Sequence, residues 1–78
     1  MNTNTIVKNI ISTHFSVHAD VLNNETDLTV DLDGDSLDIL EITTQLETVF
    51  GIEIYDDDLS KFHRIGNIIS YIENKKER

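Results

Sequence analysis

Apolar side chains recur along this chain at the three- and four-residue spacings of a helix, and no stretch alternates apolar and polar residues long enough to make a convincing strand. That periodicity alone selects an all-α fold. Val7, Ile10 and Ile11, with His14 or Phe15, mark a first helix over residues 3–15, and Thr3, Asn4 or Thr5 can cap its start. The strongest run begins at Asp35 or Ser36, places Asp38 in the first turn where the helix dipole favours a carboxylate, and continues to Phe50 before Gly51. It predicts a helix over 36–50. Asp56, Asp57 and Asp58 offer caps for a short third helix over 56–62 that carries Leu59. Ile65, Ile68, Ile69 and Ile72 fit the template of a last helix over 65–74, which leaves 75–78 as a charged, frayed tail.

Residues 16–35 form an unusually long connection, of a length that is uncommon unless it is functional or disordered. The segment is rich in Asn, Asp and Thr, yet Val17, Val21, Leu22, Leu28, Val30 and Leu32 are spread along it, so it should be pinned to the core. A short strand over 28–32 competes with that reading, but no second strand is available to pair with it. Ile52 and Ile54 tie down the next connection. Without an internal repeat, a low-complexity tract or an interdomain linker, residues 1–78 read as one domain.

Packing must supply all of the stability. The 78 residues include no cysteine and no proline, which excludes disulfide frameworks, thiolate zinc sites and a cysteine nucleophile. With 38% of the residues apolar, a single small core is possible and a large enclosed catalytic cleft is not expected. Apolar runs are far shorter than the roughly 20 residues that span a bilayer, and the N-terminus lacks a basic head, so neither a secretion signal nor membrane insertion is expected. A cytoplasmic monomer is the natural expectation.

The net charge of -9 is unevenly distributed. Residues 9–60 hold thirteen acids and no Lys or Arg, whereas 61–78 hold five bases and two acids. Phosphate backbones and anionic lipids need clustered positive charge, so nucleic acid is excluded as a partner and a basic protein surface is favoured.

On a helical wheel, Ile39, Ile42, Leu46, Val49 and Phe50 share one stripe of the second helix, its core face. Leu37, Leu40 and Thr44 point away from that stripe, beside Glu41, Glu47 and Thr48. Two outward leucines flanked by carboxylates suit a docking face, where apolar contact gives affinity and charge steers a basic partner. Ser36 stands at the start of the same helix, where unpaired N–H groups and the positive dipole end suit a phosphodiester on its oxygen; a capping role is the plainer alternative.

With these features in place, the chain resembles the acyl carrier proteins over essentially its whole length. The match is carried by D-L-x-x-D-S-L-D at Asp31–Asp38, V-F-G-I-E-I at Val49–Ile54 and I-x-x-Y-I at Ile68–Ile72. The resemblance implies a four-helix bundle, not an enzyme, whose Ser36 receives 4′-phosphopantetheine from coenzyme A by the action of a holo-synthase, a phosphopantetheinyl transferase. Asp35 and Leu37 would flank that attachment. It further implies a thiol on the arm that carries acyl groups as thioesters, as in fatty-acid biosynthesis. Asp35, Leu37, Asp38, Leu40, Glu41, Thr44 and Glu47 would dock on basic patches of acyl-processing enzymes. Ile42, Leu46, Ile54, Leu59 and Ile68 would shield the acyl chain.

Several positions depart from the usual pattern of bacterial fatty-acid carriers. Asp33-Gly34 stands where Gly-Ala is usual, Thr44 where a larger apolar residue sits, Thr48 where an acid is common, and Tyr55 where proline precedes the third helix; His63-Arg64 replaces small polar residues. These differences open the alternative of a specialised carrier for a polyketide, nonribosomal peptide or lipid-modification pathway. An unmodified acidic adaptor is the alternative from another class.

Other constellations fall on geometry. Asp31-Leu-Asp33-Gly-Asp35 starts like a calcium loop, but its glycine comes too early and Ile42 occupies the position of the bidentate glutamate. Only weak, nonspecific divalent binding is expected there. His14 and His18 have zinc-pair spacing but no third ligand nearby in sequence, so no metal site is expected. A hydrolase built on Ser36 and His63 lacks a cleft and an oxyanion hole.

Overall fold

The computed structural model describes residues 2–76. Helix α1 spans Thr3–Phe15, α2 Ser36–Phe50 and α3 Ile65–Lys76, with a six-residue 3₁₀-helix at Asp56–Lys61 and one 3₁₀ turn at Ala19–Val21. The fold is all-α, as the periodicity predicts, with the four helices that the resemblance implies and the third of them wound as 3₁₀. No strand forms among the described residues; residue 27 makes only an isolated antiparallel bridge with Arg64.

The starts of α1 and α2 and the stop of α2 have local causes. Asn2, one residue ahead of the candidates named above, caps α1 by accepting the Thr5 N–H at 2.8 Å. Helix α2 carries a full capping box: Asp35 Oδ1 accepts the Asp38 N–H at 3.0 Å, and Asp38 Oδ2 accepts the Asp35 N–H at 2.9 Å. Gly51, at φ 64°, closes α2 in the left-handed region. The charged tail begins later than the sequence suggests, because Lys75 and Lys76 are in the last turn of α3. Lys76 Nζ donates to Thr3 Oγ1 at 3.0 Å and Lys75 Nζ stands 4.3 Å from the Tyr55 ring centroid, so both are tied to the body of the protein. Residues 77–78 of the expected tail lie outside the described residues.

The core gathers Val7 and Ile11 of α1, Ile42 and Leu46 of α2, and Ile65, Ile68 and Ile72 of α3, closed by Leu22, Leu28, Ile54 and Phe62 from the connections. Helix α1 packs against both α2 and α3. On α2 the wheel needs one correction: Val49 is 54% exposed, and Thr43 lies in the buried stripe instead. The Thr43 hydroxyl donates to its own helix at Ile39 O, 2.7 Å away, which makes burial of that polar group inexpensive.

The long connection is indeed anchored to the core, although by fewer residues than its pattern suggests. Leu22 and Leu28 are buried, whereas Val21 and Val30 are exposed. Hydrogen bonding supplies the remaining order. Asp27 Oδ1 accepts the N–H groups of Val30 and Thr29, and these bonds, that from Val30 first, hold its carboxyl below the usual range. Leu28 N–H donates to His63 O at 2.7 Å, so the connection is stitched to the segment before α3.

Candidate functional site

The connection delivers the chain to α2 through a tight passage. Gly34 is buried; a Cβ there would sit 2.8 Å from the Phe15 ring and 2.9 Å from Leu28 O, so only glycine fits without a shift. The preceding residue, Asp33, takes the left-handed conformation at φ 58°. This accounts for the Asp-Gly pair: aspartate tolerates the positive φ, and glycine makes room for Phe15.

Beyond that passage the N-terminus of α2 faces solvent. Ser36 is exposed, and among the described residues nothing hydrogen-bonds its Oγ. The cap is Asp35, which removes the plainer reading of Ser36 as the capping residue. The N–H groups of Ser36 and Leu37 likewise have no protein partner among the described residues, leaving free donors at the positive end of the helix dipole. An exposed hydroxyl beside free backbone donors suits a phosphodiester on the serine oxygen.

Downstream, Leu37 and Leu40 are 61% and 47% exposed. Asp35, Glu41 and Thr44 also face solvent. Two acids of the expected docking set have structural duties. Glu47 is half-buried and accepts the Ile54 N–H at 2.8 Å, which holds the turn after Gly51. Asp38 belongs to the capping box and its Oδ1 lies 2.8 Å from His14 Nε2; that contact, followed by the Asp35 N–H, holds its carboxyl below the ordinary range. Thr44 bonds back to Leu40 O at 3.0 Å, so its methyl is its main apolar contribution to the face.

The five residues expected to shield a chain all belong to the interior: Ile42, Leu46, Ile54 and Ile68 are buried and Leu59 is half-buried against them. The sequence reading missed His14 as a partner of α2. It lies 24 residues from Asp38, a separation that spacing rules for one helix do not cover, and His18 is exposed beyond the end of α1.

A family model described as the phosphopantetheine attachment site matches residues 5–72. The chain is 40% identical to an acyl carrier protein of Lactobacillus acidophilus over 87% of its own length and 85% of the relative's. It is 41% identical to an acyl carrier protein of Thermotoga maritima, covering 88% and 85%. A solved structure of an acyl carrier protein from Enterococcus faecalis matches with a TM-score of 0.82 and 34% identity, covering 94% of this chain and 92% of that one. With the match spanning all of its helices, the chain belongs to the phosphopantetheine-attachment family of acyl carrier proteins, which are carriers rather than enzymes and hold a covalently attached 4′-phosphopantetheine.

Proposed function

We infer that Ser36 Oγ is the attachment point of 4′-phosphopantetheine and that the protein delivers acyl groups to the enzymes of fatty-acid biosynthesis in the cytoplasm. The observation that carries this reading is the exposed Ser36 hydroxyl, relieved of capping by Asp35 and free of other partners among the described residues. When bound, the group supplies a terminal thiol for thioester formation, which a chain without cysteine lacks. The Ser36 and Leu37 N–H groups orient the phosphate at the helix start. Asp35 and Glu41 steer basic enzyme surfaces, the holo-synthase included, while Leu37 and Leu40 supply apolar contact. Asp38, Thr44 and Glu47 complete the docking surface. Ile42, Leu46, Ile54, Leu59 and Ile68 shield the acyl chain.

A second reading, a specialised carrier of polyketide, peptide or lipid-modification chemistry, is favoured by the polar Thr44 in the middle of the docking face.

Intact mass after incubation with coenzyme A and a broad-specificity phosphopantetheinyl transferase tests the attachment. The wild type should gain one 4′-phosphopantetheine and Ser36→Ala none. An unmodified wild type, or a modified alanine variant, overturns the assignment, and full cellular function of an unmodified Ser36→Ala supports an adaptor instead. For docking, Glu41→Lys and Leu37→Ala should each weaken transfer to partner enzymes while helicity is kept.

A further inference from the structure

The carrier reading gives no task to the junction where His14 meets α2. The His14 side chain is only 13% exposed, and its ring stands edge-on to Phe15 with centroids 4.9 Å apart, which limits its motion. That nitrogen lies 2.8 Å from Asp38 Oδ1 and 3.7 Å from Glu41 Oε2, and the three donor atoms all fall within 4.8 Å of one another. One hydrogen bond accounts for the contact with Asp38. The second carboxylate also converges on that nitrogen, so two like charges one helical turn apart, which repel each other, face a single centre that a cation would neutralise.

Two of the three donors are held in place from behind. Asp38 Oδ2 is engaged by the Asp35 N–H, which leaves Oδ1 aimed at the imidazole, and the Phe15 contact holds the ring. Glu41 has a side chain 55% exposed and no other partner among the described residues, so it can close from the solvent side.

We propose that His14 Nε2, Asp38 Oδ1 and Glu41 Oε2 form a binding site for a divalent cation of the zinc class that bridges α1 and α2. Zinc–nitrogen and zinc–oxygen bonds of roughly 2.0–2.2 Å set neighbouring donors about 3.0–3.6 Å apart. The observed 2.8 and 3.7 Å bracket that range, so small side-chain rotations suffice. Nε2 becomes a ligand when the imidazole proton resides on Nδ1, and water completes the shell on the open side. The imidazole sets the class of metal, because magnesium and calcium prefer shells made only of oxygen. The site does not require an arm on Ser36. On the docking reading above, the ion also ties two docking acids to α1, so metal and a basic partner oppose each other.

Calorimetric titration of Zn²⁺ into the whole chain, with Mg²⁺ in excess to occupy sites built only from carboxylates, tests the proposal. One ion per chain should bind. His14→Gln keeps an amide donor for Asp38, so its helical circular dichroism should be unchanged while Zn²⁺ affinity falls by roughly tenfold or more, at least what losing even an outer partner of a metal ligand costs. Glu41→Gln should also weaken binding, and the double variant H18Q/H63Q should bind like the wild type. Equal affinity of His14→Gln and wild type, loss of binding in H18Q/H63Q, or no Zn²⁺ binding above the Mg²⁺ background would each overturn it.

Discussion

Helices α2 and α3 begin in opposite ways. At α3 the first donors are consumed by the rest of the fold: Ile65 N–H donates to Thr26 O at 3.1 Å and Gly66 N–H to Asn24 O at 2.9 Å, and Ile65 itself is fully buried. At α2 two acids cap each other at the surface, while the N–H groups of Ser36 and Leu37 and the Ser36 hydroxyl are left free. A helix start whose donors are used internally locks the chain together. One that is capped by its own side chains stays ordered and keeps its dipole end available for chemistry.

The glycines at the two starts give the largest expected difference. Gly34→Ala should destabilise by about 1–3 kcal/mol, because its Cβ meets a backbone oxygen and a core ring that cannot both retreat. Gly66→Ala should be nearly neutral, since its Cβ stands 3.0 Å from Asn24 O and the strain is offset by about 1 kcal/mol of helix propensity. Chemical denaturation of both variants would check the contrast, and equal losses would erase it.

Proton linkage should separate the same regions. Tyr71 of α3 donates to Asp58 Oδ2 at 2.6 Å, and partial burial followed by that carboxylate pushes its pKa from 10.0 to about 12. A group raised on folding stabilises below its unfolded pKa, so this contribution should be lost as pH rises from 10 to 12. Tyr71→Phe should remove that extra alkaline loss from the melting curve. Asp38 at the α2 start and Asp58 at the α3 side are both depressed, the first chiefly by His14 and the second chiefly by Tyr71. Their stabilisation is present above 3.8 and fades as pH falls through their lower folded values.

The smallest effect belongs to Asp33. Asp33→Gly relieves its positive φ while adding freedom to the unfolded chain, for a net gain of roughly 0.5 kcal/mol or less. A lowered melting temperature would show that the aspartate holds the passage in some further way.

The helices were legible because local rules govern them: Gly51 stops α2 as expected, and the isoleucine spacing of α3 faces the core. Thr43 was not, since its burial depends on a hydroxyl folded back onto its own helix, which an apolar pattern cannot register. Nor was the exposure of Val21 and Val30, because hydrogen bonds order that connection where apolar pins were expected.

By itself the sequence determined the class of fold, the helix that presents Ser36 and the acidic character of its surroundings, all consequences of spacing and composition along one chain. Tertiary structure alone decided which acids are free and which are committed. Asp38 meets His14 across 24 residues, Glu47 fastens the Ile54 turn, and Asp58 receives Tyr71. Such pairings depend on how helices pack, and packing brings together side chains that no local pattern relates.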